Sequence, residues 1–497
     1  MSNAALATPL QAGLAYSDSQ RSILDEVLNS TTIDDEQKQI VGAQIDTLIR
    51  QILGKQVQFS KSIATTIQSA IKRIDELLNV QINEVLHNEA FQKLESSWRG
   101  LRYLIFETET SPMLKVRVLN ASQAELLKDL RNASEFDQSS LYKKIYSRGF
   151  DTFNGIPYGA LLGDYEFGRH PDDVELLGHL SRVAAAAHAP FLSAASPKLF
   201  DMRSFTALPE ERDLAKIFDE TVNPQYVKWK EFRKSPDSRY VALVAPHMLM
   251  RLPYGPDSSP VTAFNFQEDV TQHNKYLWGN AAYALALRLT TAFAQHGWHM
   301  AICGLEGGGQ VQGLPVHTFK TDAGSIAMKC PTEVVVTERR AGELIRLGVI
   351  PLVVYENTDY AVFIDAPSCQ LPATYNDPKA TANAALSADL RCILAASRFT
   401  HYLKAITRDK LGSFLNAKEC EDFLHRWIVS NYTVANTDAT QAIKSSKPLR
   451  EAAVSVSPIP GRPGYFAATI NLAPHIPFKG LSASVSMVAE LPPPARS

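Results

Sequence analysis

Residues 91–105 read FQKLESSWRGLRYLI, and the reading of this stretch decides what the rest of the chain must supply. Phe91, Leu94, Trp98, Leu101 and Ile105 recur at steps of three and four, which places large apolar groups along one face of a helix. Gln92, Glu95, Ser96, Arg99 and Arg102 fall on the other face, with Glu95 four residues before Arg99 in the favourable orientation for a helical ion pair. Gly100 costs about 1 kcal/mol of helix propensity, so it implies a close packing neighbour. A helix with so heavy a stripe needs a partner element. The expectation is a core helix whose stripe anchors an N-terminal arm to the body, with Trp98→Ala costing about 3–5 kcal/mol.

Outward toward the N-terminus the pattern stays helical. Ile63, Ile67, Ile71, Ile74, Leu78, Ile82 and Val85 keep helical spacing, and Asp34–Leu53 carries a further helix closed by Gly54. Within SILDEVLNS, residues Ile23, Leu24, Val27 and Leu28 form a short amphipathic patch on an otherwise polar tail, which reads either as a solvated, mobile arm or as a docking segment that folds onto a partner.

Toward the C-terminus the period changes. LKVRVLN from Leu114 alternates apolar and basic residues like a half-buried strand, and ASQAELLKDLRN reads as a helix. GALLGDY, FLSAAS, RYVALVAP, HMAICG, EVVVTE, IPLVVYE and YAVFIDA are strand candidates, interleaved with helices over Val174–His188 and Asn274–His296. Alternation of helix and strand, with Val- and Ile-rich runs of the kind buried on both faces, argues a multi-layer α/β body. Helices follow over Leu386–Asp409 and Lys418–Asn431, then a polar linker over 432–450. In the tail, Leu481, Ala483, Val485, Met487 and Ala489 alternate with mostly polar residues, and YFAATINL precedes them with the same period. Prolines bound both segments, so a tethered β-hairpin is expected, which either packs back on its own chain or accepts strands from neighbours. The division this suggests is an N-terminal helical arm over 1–60, an α/β body over 61–380, a helical segment and linker over 381–450, and a strand arm over 451–497.

Composition narrows the function. A net charge of -2 and the lack of long Lys/Arg runs give no footprint for nucleic acid. Five widely spaced cysteines without a CxxC pair suit a reducing compartment. The N-terminus lacks the basic region of a signal peptide, and the longest apolar run, VAAAAHAPFLSAA, is too short to cross a bilayer, so a cytoplasmic protein is expected. Chemistry is sparse. CGLEGGGQVQG presents Gly307–Gly309 after a strand candidate and could cradle phosphate, but it lacks the Lys and Ser/Thr of a Walker A loop. No HExxH, HxH or GxSxG motif occurs. No catalytic, metal or cofactor residues are therefore assigned; an α/β enzyme holding a phosphorylated ligand at Gly307–Gly309 is the alternative.

Taken together, FQKLESSWRGLRYLI, SLYKKIYSRGFDTFNGIPYGALLGDYEFG, AAAHAPFLSAASP, WKEFRKSPDSRYVALVAPHMLMRLPYG, YLWGNAAYALALRLTTAF, PTEVVVTERRAGEL and HYLKAITRDKLGSF resemble the large subunit of the type VI secretion contractile sheath, in unchanged order from about Ile82 to the C-terminus. The resemblance implies a non-enzymatic protein that pairs with a small sheath subunit and polymerises with other protomers into a helical tubule around inner-tube hexamers, on a baseplate. It also implies that an AAA+ ATPase disassembles the contracted form by gripping an N-terminal helix, a role that maps onto Ile23, Leu24, Val27 and Leu28. C-terminal strands would join neighbouring protomers, and the region over Asn274–Tyr432 would include the layer facing the tube. One departure is Ala473-Pro474-His475-Ile476, where the family carries an arginine and an aromatic.

Overall fold

The computed structural model describes residues 63–491 together with 43, 44 and 47, except for 151–154, 211–212, 220, 222, 322–323, 356–357, 410–416, 437, 459–465 and 476–484. The Ile23–Leu28 patch, most of the helix expected over Asp34–Leu53, and Leu481 and Ala483 lie outside the described residues. The chain forms two units: residues 1–86 with 254–268, and residues 87–253 with 269–497.

In the first unit, helix α1 (Ile63–Leu86) follows the predicted isoleucine spacing. The segment 254–268 is pinned to it by asparagine side chains, which read the backbone as a strand neighbour would. Asn79 donates to the Asn265 carbonyl at 2.8 Å and accepts from the Gln267 N–H at 2.9 Å, and Asn83 donates to the Gln267 carbonyl at 3.2 Å. Phe266 is buried and packs its ring on Tyr254 and Phe264.

The second unit begins with α2 (Glu89–Glu107), capped by Asn88, whose side chain accepts from the N–H groups of Ala90 and Phe91. A capping box of Ser122 and Glu125 starts α3 (Gln123–Asn132). The sheet follows: β1 (Leu161–Phe167), α4 (Pro171–Ala187), β2 (Phe191–Ala195), α5 (Val227–Lys234), β3 (Val241–Ala245), α6 (Ala282–His296), β4 (Gln310–Val311), α7 (Glu338–Arg346), β5 (Val349–Val354) and β6 (Ala361–Phe363). Strand order is β1-β2-β3-β5-β6-β4. The first four run parallel, and β6 and β4 close the edge antiparallel. Alternate residues of one strand feed opposite cores. Val241, Leu243 and Ala245 enter the core shared with α4 and α5, whereas Ala242 and Val244 enter the core shared with α6. An unbroken apolar run such as VALVA is the sequence consequence of covering both faces.

Helices α8 (Pro378–Ser387), α9 (Leu390–Asp409) and α10 (Ala417–Tyr432) lead to β7 (Leu449–Pro458), β8 (Phe466–Pro474) and β9 (Val485–Leu491), an antiparallel sheet in the order β7-β8-β9. Trp298, Phe399, Leu403, Leu424 and Ile428 join Val454, Val456, Ile470 and Leu472 in a third core.

Five expectations change. The segment over 114–120 is not a strand: apart from a bridge at Leu114 it pairs with nothing among the described residues. HMAICG is irregular, because the sheet position beside β6 is filled by Gln310–Val311. EVVVTE is irregular up to α7, and the slot beside β3 belongs to β5. Helix α6 starts at Ala282 rather than Asn274; Trp278–Gly279 instead pairs with Met248–Leu249, and the Asn280 side chain accepts from the Ala282 N–H. The expected linker over 432–450 contains a short helix at Gln441–Ser446 and runs into β7, so among the described residues the tail sheet has three strands and a core of its own.

Candidate assembly surfaces

Helix α2 is oriented opposite to the expectation from its stripe. Its polar and small side meets the body: Gly100 and Leu104 are buried, and Glu95 is nearly so. A Cβ built on Gly100 would lie 2.4 Å from the Tyr283 ring of α6, and one built on Gly279 would lie 2.5 Å from Ser96 Oγ; these two contacts explain both glycines. The Gln92 amide donates to the Asn274 carbonyl. Glu95 Oε1 accepts from Arg99 Nε at 2.7 Å, as the spacing predicts, and also from Arg251 Nε at 2.8 Å, which sequence spacing could not reveal. Burial alone would raise the Glu95 pKa, but Arg251 and then Arg99 outweigh it and hold the carboxyl below its usual range.

The apolar stripe therefore faces outward. Phe91, Leu94, Trp98 and Ile105 are exposed, Trp98 to 65%, and of the five only Leu101 is packed against the α6 core. The expected core role of Trp98 is corrected for the single chain. The body is complete without the stripe, because Gly100 and Leu104 already seat the helix on Tyr283 and its neighbours. Helix α1 shows the same property, with Ile67, Ile71, Ile74, Leu78 and Val85 all exposed. These residues step by four, three, four and seven, the geometry of a seam that receives another helix. Full burial of each such side chain stabilises by about 1.5–3 kcal/mol, so two faces of this length are a large unused association energy.

The C-terminal sheet is the second surface. Val485, Met487 and Ala489 stand opposite Leu472, Ile470 and Ala468 in the β8–β9 register. On β7 the outer edge is partly capped, since Glu421 of α10 accepts from the Val456 N–H at 2.8 Å. Strand β9 has no strand on its outer side among the described residues.

The glycine loop is held by close backbone packing. Gly304 N–H donates to the Phe363 carbonyl at 2.8 Å, Gly309 N–H to the Gly304 carbonyl at 2.9 Å, and Phe363 N–H to the Gly309 carbonyl at 3.0 Å. A Cβ on Gly307 would lie 2.2 Å from the Cys303 carbonyl, and one on Gly309 would lie 2.6 Å from that of Phe363. Glycine is required by backbone approach, and the N–H groups of Gly304 and Gly309 already have acceptors.

An ion triad of a buried glutamate, a largely covered histidine and a half-exposed glutamate escaped the sequence reading because its members are remote in the chain. His247 Nδ1 lies 2.5 Å from Glu333 Oε2 and its Nε2 lies 3.0 Å from Glu166 Oε1. Burial would lower the His247 pKa, but the two carboxylates reverse this and raise it to about 10, while Glu333 is held well below the carboxylate range. Ser204 donates to Glu333 at 2.6 Å, and so does the Phe205 N–H. The serine hydroxyl thus serves the carboxylate and not the imidazole, the wrong order for a nucleophile–base pair. The triad ties the ends of β1 and β3 to the 333 segment. Cys303 and Cys369 are buried, which pushes both thiols up to about 12 and leaves them unreactive. Among the described residues no cluster of His, Cys, Asp and Glu could hold a metal, and no helix is long and apolar enough to cross a membrane.

Two family models match the chain. The EvpB/VC_A0108 tail sheath N-terminal domain covers residues 68–370, and the EvpB/VC_A0108 tail sheath gpW/gp25-like domain covers 379–491. The type VI secretion system sheath protein TssC1 of Pseudomonas aeruginosa is 44% identical over 459 residues, 92% of each chain.

Proposed function

The chain belongs to the EvpB/VC_A0108 tail sheath family, and from that premise we infer that it is a structural subunit of the contractile sheath of the type VI secretion system. It pairs with the small sheath subunit and polymerises. The observation that carries this reading is the outward stripe on α2, with that on α1: large apolar faces left uncovered on helices that are otherwise well formed. Contiguous exposed apolar faces of this kind mark surfaces that another chain covers.

The finer assignments extend the same reading. The small subunit covers α1 and α2. Residues 481–491 exchange strand contacts with neighbouring protomers, so that α/β bodies can rotate and slide during contraction while remaining linked. The tubule surrounds inner-tube hexamers, rests on a baseplate and works in the cytoplasm. An AAA+ ATPase grips Ile23, Leu24, Val27 and Leu28 after contraction; the amphipathic pattern of that patch supports this. The protein carries no catalytic activity, and its work is mechanical.

Coexpression with the small subunit followed by electron microscopy is the test. Regular tubules are expected; a monodisperse monomer in the presence of the small subunit would overturn the reading. Deleting residues 481–491 should leave the heterodimer but abolish tubules, and Ile23, Leu24 and Leu28→Asp should block disassembly while assembly continues.

A further inference from the structure

We propose that Lys329 is a nucleophilic lysine, activated through His273 and Glu333, that accepts an acyl group from a small activated donor, an acyl phosphate or a thioester. The inference does not depend on the sheath reading. Lys329 ends a hairpin of His317–Lys320 and Ile326–Lys329, opposite His317 in its register. Its Nζ lies 2.9 Å from His273 Nδ1, with the rings of Tyr276 and Trp278 at 5.3 and 5.8 Å. Among the described residues no carboxylate reaches it at ion-pair distance, whereas Lys275, two residues along from His273, pairs with Asp269. Aromatic faces attract the ammonium, but burial outweighs the attraction of Cys330 and Glu333 and lowers the Lys329 pKa. The uncharged amine is the nucleophile, so this environment favours its reactive form.

His273 is held to take the proton. Its ring stacks on Trp278 at 5.0 Å and 24°, and the Trp278 indole N–H donates to the His273 carbonyl at 2.9 Å. An ammonium only donates, so His273 Nδ1 is the acceptor and the neutral ring carries its proton on Nε2. That nitrogen lies 3.7 Å from Glu333 Oε1, where a carboxylate stabilises the imidazolium formed when Nδ1 is protonated. Lys329 is partly exposed and the His273 side chain is 27% exposed, so a small donor has access.

The step balances without an oxidant. One ammonium proton passes to His273 Nδ1, and the freed lone pair attacks the acyl carbon. A C–N bond forms as the C–O bond of the acyl phosphate or the C–S bond of the thioester breaks, its electron pair leaving with phosphate or thiolate. The second proton goes to that leaving group, and His273 returns the first to solvent. The product is an uncharged amide.

Peptide mass spectrometry of the full chain, treated with acetyl phosphate in one arm and acetyl-coenzyme A in another, tests this. Near neutral pH, Lys329 should be acetylated at least about tenfold faster than the exposed Lys320 and Lys379 in one arm or both; the reactive arm identifies the donor. The ratio should shrink as pH rises toward 10.5, the ordinary lysine value, where every lysine loses its proton. His273→Gln should bring Lys329 down to the Lys320 rate and leave Lys320 unchanged. Acetylation of Lys329 no faster than Lys320 in both arms, a ratio that does not vary with pH, or an unchanged Lys329 rate in folded His273→Gln would each overturn the proposal. The first two results come from the parent chain and do not depend on how the variant folds.

Discussion

Trp98→Ala separates a core tryptophan from a docking one. Trp98 is 65% exposed, and a tryptophan offers up to about 250 Å² of buriable surface, so roughly 160 Å² remains for a partner. At about 25 cal/mol per Å², that area is worth about 4 kcal/mol to association, and the covered remainder about 2 kcal/mol to folding. Alanine's higher helix propensity offsets about 0.5 kcal/mol of the folding loss. The expected outcome is a free chain destabilised by about 1.5 kcal/mol, against about 3–5 kcal/mol for a core aromatic. The heterodimer should be weakened by up to three orders of magnitude, the scale of an interface hot spot. Urea unfolding of the free chain and a fluorescence titration with the small subunit give the two numbers. A folding loss above 3 kcal/mol with unchanged affinity would show that the stripe is a core face and refute the argument.

Three further outcomes follow from named contacts. Gly100→Val puts a side chain into the Tyr283 ring, and overpacking of about 1–3 kcal/mol should exceed the gain in propensity, lowering the urea midpoint. Glu333→Gln leaves the largely covered His247 with one carboxylate and should cost about 3–5 kcal/mol near neutral pH. The Glu333 contribution is present above its ordinary pKa of 4.5 and is lost as pH falls below it; that of His247 is present below 6.5 and is lost as pH rises through about 10. The gap between variant and parent in pH-dependent unfolding should accordingly narrow at both ends. Burial holds His401 near 4 and His188 near 3, with Lys404 adding to the effect at both. The unfolded chain takes up their protons first, so stability should fall with pH from about 6.5 to 4 by up to about 1.4 kcal/mol per unit for each histidine. His401→Gln should flatten that fall.

Much of the fold was legible because short-range patterns encode it. VALVA and FLSAA announce strands covered on both faces, and the isoleucine spacing of Ile67–Leu78 announces α1. The quoted blocks, read in order, announced the sheath family. The Glu95–Arg99 pair and the need for a neighbour at Gly100 were also readable, because both depend on the helix alone.

What the sequence determined by itself is therefore local: which stretches are helices, which runs belong in a doubly covered sheet, and that FQKLESSWRGLRYLI has an apolar and a polar face. Only the tertiary structure decided which face turns inward. Amphipathicity fixes two faces but not their partners, and the partner of the polar face, Arg251 with Tyr283 and Asn274 nearby, comes from chain more than 150 residues away. The same limit applies to KVRVLN, whose alternation specifies a strand without specifying a neighbour. Pairing and burial are properties of the surroundings, and for these two segments the single chain leaves the apolar stripe exposed and the strand-like run unpaired among the described residues.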